Sequence, residues 1–166
     1  MLERIITEFS FSTVVPMDIM LIRIIGAVFL CGMIGFERRL HNNTAGVRTN
    51  MLIGLAAVMF SIITLHLIET FDVKGGSMGF DPLRLVEAVT AGVAFLAAGV
   101  VVYTRGDAKG LTTGASMWVS AAIGVSAGLG MWPLAIVATI IGIIILWILR
   151  KAEYVTGVKE PEESPG

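Results

Sequence analysis

The sequence predicts an all-α protein: a polytopic membrane helix bundle of about five transmembrane helices, preceded by a short amphipathic N-terminal helix. Three observations predict it. Hydrophobic residues make up 55% of the 166-residue chain, charged residues only 15%, and mean hydropathy is +0.85, whereas soluble domains carry about 25% charged residues. Apolar stretches recur along the chain, each close to the ~20 residues that carry a helix across a bilayer. Short charged loops separate them. A helix is the required form, because lipid offers no partner for an open backbone group. The same arithmetic excludes a separate catalytic domain. A net charge of −1 excludes a general nucleic-acid binder.

Taken in order, residues 1–15 place Leu2, Ile5, Ile6 and Phe9 at helical spacing, with Glu3, Arg4 and Glu8 off that face. This is the pattern of an interfacial helix lying on the membrane surface, with a frayed terminus as the alternative, and not of a cleaved leader. The spans follow as Met17–Phe36, Met51–Ile68, Leu83–Tyr103, Leu111–Leu129 and Pro133–Leu149. The short Met131–Trp132–Pro133 connection makes the last two antiparallel neighbours. Residues 16–150 form the transmembrane domain. Residues 151–166, with Pro161, Pro165 and no apolar periodicity, read as a disordered cytoplasmic tail. Arg38, Arg39, Arg48, Arg105, Lys109, Arg150, Lys151 and Lys159 all fall on one side, eight of the twelve basic residues. The positive-inside rule therefore places the amino terminus outside and the carboxyl terminus in the cytoplasm. No inverted repeat of the transporter kind is evident.

Intramembrane charge is the first functional signal, since a charge at mid-bilayer costs at least ~2.5 kcal/mol and needs a partner. Arg23 and Glu87 fall at similar depth in helices of the same direction. They are expected to approach each other, with Asp18 a competing partner for Arg23. The readings are a structural ion pair or a station on a proton or cation path. A second cluster gathers at the cytoplasmic helix ends: Glu37, Arg38, Arg48, Thr49, Asn50, Arg105, Thr112 and Thr113. It is either a set of charges fixing helix ends or a pocket for an anion, a headgroup or a partner's carboxylate. Arg48 is the leading residue there, because a guanidinium holds such groups at two points. Thr112 or Thr113 is placed to cap the fourth helix.

In the fourth span Ser116, Ser120, Gly124 and Gly128 recur every fourth residue. Such a stripe admits a close neighbouring backbone, as helix packing, a dimer face or a cavity floor. Ala91, Ala94 and Ala98 give the third span a related face. Gly106–Gly110 followed by Leu111 lacks the lysine of a phosphate loop. No metal-ligand spacing, nucleophile constellation or cofactor motif is found. Cys31, the single cysteine, reads as a small buried hydrophobe.

Three blocks carry a family resemblance. The first is Gly32–Met33–Ile34–Gly35–Phe36–Glu37–Arg38 with Ala45–Gly46–Val47–Arg48–Thr49. The second is Gly92–Val93–Ala94–Phe95–Leu96–Ala97–Ala98–Gly99. The third is Gly110–Leu111–Thr112–Thr113–Gly114–Ala115–Ser116–Met117–Trp118 with Ala121–Ala122–Ile123–Gly124. Together, over roughly Asp18 to Leu149, the chain resembles the MgtC/SapB family of bacterial inner-membrane proteins. It departs from the family pattern at Ala94 and Ala97, where glycine is usual, at Gly114, where alanine is, and at Glu87, where glutamine is. The soluble carboxyl-terminal domain of longer members is not expected in this chain.

The resemblance implies a link to magnesium homeostasis and to acid or low-magnesium adaptation. It implies a non-enzymatic regulator or interaction protein in the bacterial inner membrane; the alternative is a magnesium, proton or other small-ion transporter or channel. The expected partners are the lipid bilayer, a second copy in a homodimer and a membrane-protein partner, with Mg²⁺ or an anion as ligand. No nucleic acid, cofactor or bound metal is expected.

Overall fold

Each predicted span is a helix in the computed structural model, which describes residues 14–40, 43–72, 81, 83–104 and 107–155. The first, α1 (Met17–Arg39), starts after Pro16, whose carbonyl accepts the Met20 amide at 2.8 Å. Asp18 in its first turn and Arg38 and Arg39 in its last oppose the helix dipole. Next comes α2 (Val47–Asp72). Asp81 opens α3 (Leu83–Val100) by accepting the Leu83 amide at 2.9 Å. Then come α4 (Leu111–Gly128) and α5 (Trp132–Val155).

Helices α1 and α2 run beyond their predicted spans, to Arg39 and over Val47–Asp72, and two further boundaries differ from expectation. Helix α3 ends at Val100 rather than Tyr103. Val102–Thr104 forms a short strand, β1, paired antiparallel with β2 (Asp107–Lys109) in the register Val102↔Lys109 to Thr104↔Asp107. Residues Val101 to Thr104 are β-branched or aromatic, and extended pairing suits them better than a helix end. The ribbon delivers the chain to Gly110, which at φ 91° occupies the left-handed region and lies against the Val100 backbone. No side chain fits there. The second difference is at the tail, where α5 continues through 151–155. Residues 1–13, which include the predicted interfacial helix, and 156–166 lie outside the described residues.

Helix α4 is the axis of the bundle and packs against α1, α2, α3 and α5. Its burial explains its composition. Thr113, Ser116, Ser120, Gly124, Ser126 and Gly128 are all buried, and small residues let neighbouring backbones close in. The outer surface is the reverse: Phe29, Phe36, Ile140, Ile144 and Trp147 are exposed. Polar and small groups inside, with large apolar groups outside, is the arrangement a bilayer demands. Met17–Arg39, Val47–Thr70 and Leu83–Val100 are long and apolar enough to cross a membrane, and Trp132–Ile148 is a shorter apolar helix. The remaining helix, α4, buries most of its residues against the others, with Leu111 and Trp118 left exposed.

Close approach centres on glycine. A Cβ on Gly124 would lie 2.7 Å from the Gly54 carbonyl oxygen and 2.8 Å from the Ala57 Cβ. On Gly128 it would lie 2.5 Å from the Ser61 Cβ and 2.9 Å from the Val58 carbonyl oxygen. The α4 stripe is thus spent on α2, inside the molecule.

Candidate functional site

Two polar assemblies are built into this packing. The first lies where α1, α2 and α4 meet. Asn50, at 0% exposure, donates to the carbonyls of Gly46 at 2.9 Å and Ala45 at 3.3 Å. Its Oδ1 accepts the Ser120 hydroxyl at 2.8 Å. The Ser120 carbonyl in turn accepts the Cys31 thiol at 3.2 Å. Three helices are stitched together at one level by groups with no outlet to solvent. Satisfied polar groups in apolar surroundings fix register as much as they add stability. We expect Ser120→Ala, which strips the side-chain donor from Asn50 Oδ1, to cost about 1–2 kcal/mol. A double-mutant cycle with Asn50→Ala should return a coupling of about 0.6 kcal/mol; equilibrium unfolding in detergent measures both.

Two turns further along, Arg38 at 3% exposure reaches across to α4 and donates to the Thr113 hydroxyl at 2.8 Å. Glu37 beside it is also buried. Gly35 makes the approach: a Cβ there would lie 2.6 Å from the Val47 Cα and 2.8 Å from the Gly46 carbonyl oxygen. The cluster expected at the cytoplasmic helix ends therefore divides. Glu37, Arg38 and Thr113 face the bundle; Arg48 and Thr112 are exposed, and Thr49 is half-buried. Arg105 lies outside the described residues. The expected threonine cap on α4 is not formed. Gly110 takes the N-cap position without a side-chain bond, because α4 begins at Leu111 and both threonines lie inside its first turn.

The second assembly surrounds Arg23 and corrects the expected ion pair. Its guanidinium donates to the Gly128 carbonyl at 2.7 Å. Glu87 is exposed on α3, and Asp18 is exposed at the start of α1. Helix α3 packs on α4 and α2, so equal depth does not bring Glu87 to α1. Arg23 meets a helix end instead. At the α4 terminus the Gly130 amide bonds the Ala127 carbonyl at 3.0 Å and the Met131 amide bonds the Ser126 carbonyl at 2.8 Å. Gly130 has φ 79°. This Schellman closure leaves the Gly128 carbonyl open at the negative end of the helix dipole, and Arg23 fills it. A Cβ on Gly130 would lie 2.8 Å from Arg23 Nη2, so glycine there serves both the turn and the arginine.

Sequence reasoning missed Asn50 as the hub, although it stands in the same motif as Arg48. The available signal was an amide one residue before an apolar run, two positions from Arg48 and hence on another helix face. The Ala91, Ala94 and Ala98 face of α3 is exposed, and Gly92 and Gly99 have nothing within 4 Å of a Cβ position. Among the described residues, no group of three or more His, Cys, Asp or Glu could hold a metal ion.

The sequence has clear relatives. It is 36% identical over 135 residues to the putative magnesium transporter YhiD of Escherichia coli (strain K12), covering 81% of this chain and 62% of that protein. It is 37% identical over 125 residues to protein MgtC of Brucella abortus, covering 75% and 49%. To protein MgtC of Salmonella typhimurium it is 33% identical over 132 residues, covering 80% and 53%. The chain thus spans about half to two-thirds of the length of these relatives. No solved structure matches it. The MgtC family model matches residues 24–155, from the middle of α1 to the end of α5. That match takes in the Arg38–Thr113 contact, the Asn50–Ser120 hub and the glycine contacts of α4, and on it the chain belongs to the MgtC family.

Proposed function

We propose that this chain is a non-enzymatic regulator of the bacterial inner membrane, tied to magnesium homeostasis and to adaptation to acid or low magnesium. Its amino terminus is outside and its carboxyl terminus cytoplasmic. The link to magnesium rests on the name of the YhiD relative and on the family resemblance. The observation that supports regulation over transport is the closed polar centre. Asn50, Ser120 and Cys31 bond one another and the backbone at 0% exposure, and the acids Asp18 and Glu87 stand apart on the outer surface. A transporter needs such groups to converge on a wet path. Purified protein in liposomes is expected to move neither Mg²⁺ nor protons down imposed gradients. Flux that Glu87→Gln or Arg48→Ala abolishes would establish the transporter instead.

A regulator acts through a surface, and α3 offers one. Leu85 and Val93 are its buried residues, whereas Phe95 is 81% exposed and the small residues beside it are open. Arg84 and Glu87 are both exposed, one turn apart. Two copies packed through parallel α3 helices would pair Arg84 of each with Glu87 of the other, removing the cost of an acid facing lipid. We expect cysteines placed at Ala91 to cross-link two copies in membranes, and cysteines at Ile136, on the outward face of α5, not to. Equal cross-linking at both would refute this interface.

A further inference from the structure

The structure holds a second lipid-facing feature that the regulatory reading does not use. A groove of about 640 Å³ runs along α1 between α2 and α5, lined by Val28, Phe29, Met33, Met51, Ile143 and Trp147 among others. Its long axis follows α1 from Val28 to Leu40, about 18 Å at the helical rise of 1.5 Å per residue. One leaflet of a bilayer's hydrocarbon is about 15 Å deep. The groove therefore has the length of one acyl chain, and Trp147 stands among its walls near the interface level that indole prefers.

The cytoplasmic end of the groove is basic. Leu40 and Val47 are its last lining residues, and their neighbours Arg39 and Arg48 are both exposed. The two arginine-bearing segments adjoin, for a Cβ on Gly46 would lie 3.7 Å from the Arg39 Cβ. Glu37 also lines this end, but its carboxylate oxygens are withdrawn from the surface. An apolar channel one leaflet deep, with two exposed arginines next in sequence to its last lining residues, is complementary to one kind of molecule.

We propose that this groove is a specific site for an anionic phospholipid of the phosphatidylglycerol type. One acyl chain lies along α1, and the phosphate sits between Arg39 and Arg48. The assignment holds whether the protein regulates or transports. It gives Arg48, exposed and without a role in the bundle's packing, a ligand.

Native mass spectrometry of the full chain, released from nanodiscs of equal phosphatidylglycerol and phosphatidylethanolamine, tests it. The expected result is one phosphatidylglycerol retained at activation energies that strip phosphatidylethanolamine. Arg39→Gln with Arg48→Gln should lower that retention at least fivefold while lowering the melting temperature by no more than the loss of one exposed charge at the α1 carboxyl end allows, because both side chains are exposed. Gly32→Leu should lower retention independently of charge. A Cβ at Gly32 meets only the Met51 side chain, at 3.4 Å, so the added side chain enters the groove without striking backbone. Equal retention of the two lipids, or retention unchanged by both the arginine pair and Gly32→Leu, would overturn the proposal.

Discussion

Gly124→Val is expected to abolish recovery of folded protein. The new Cβ would lie 2.7 Å from the Gly54 carbonyl oxygen and 3.1 Å from the Gly54 Cα, and backbone cannot turn aside as a side chain can. Helices α2 and α4 must separate, loosening the Asn50–Ser120 bond one turn away. Overpacking of this kind costs up to about 3 kcal/mol, a large share of a marginal stability. Gly128→Val meets Ser61 and Val58 in the same way and should behave alike. Gly92→Ala and Gly99→Ala are the controls. Nothing lies within 4 Å of either Cβ position, so each should leave monomer stability unchanged or raise it by up to about 1 kcal/mol, the helix preference for alanine over glycine. Thermal unfolding of detergent-purified protein separates the two pairs. Loss at Gly92 equal to that at Gly124 would mean that α4 is not the axis.

Arg23→Met carries the next largest expected effect. It removes the cation from the Gly128 carbonyl and leaves that oxygen open at a helix end. A hydrogen bond to a charged group contributes about 1.5–3 kcal/mol, and the dipole adds to it within the last turn. Arg23→Lys keeps the charge but not the planar fork, and should recover part of the loss. Glu87→Gln should leave stability unchanged, because Arg23 is committed elsewhere. Urea or thermal unfolding of the three variants decides the matter. A Glu87→Gln loss matching that of Arg23→Met would restore the ion pair and remove the helix-end account.

These two sites show what a sequence can and cannot display. The spans were legible because hydropathy is a property of each residue. The serine–glycine stripe of α4 was legible for the same reason, as spacing on one face. Its partner was not named, since the small-residue face of Gly54, Ala57 and Ser61 on α2 marks a close contact without saying which helix makes it. Arg23 announced itself as an intramembrane cation, but matching by depth can find only other charged side chains. Its partner is a main-chain carbonyl, exposed to it by the geometry of a Schellman turn. The adjacent threonines illustrate the same limit: Thr113 faces Arg38 and Thr112 faces outward, a difference of about 100° around the helix axis invisible in composition. The strand pair after α3 arises from a β-branched run that hydropathy counts as more of the span.

The interior where α1, α2 and α4 meet is closed and dry. Cys31 reports on it without any engineering. It is the single cysteine of the chain, at 0% exposure, with its thiol on the Ser120 carbonyl. Labelling by a water-soluble methanethiosulfonate reagent, in intact membranes and again after denaturation, is the direct measurement. The account predicts no modification of Cys31 in the folded protein, full modification once unfolded, and rapid modification of an added cysteine at the exposed Thr44. Modification of native Cys31 at a rate approaching that of the Thr44→Cys control would place water in the centre of the bundle and contradict it.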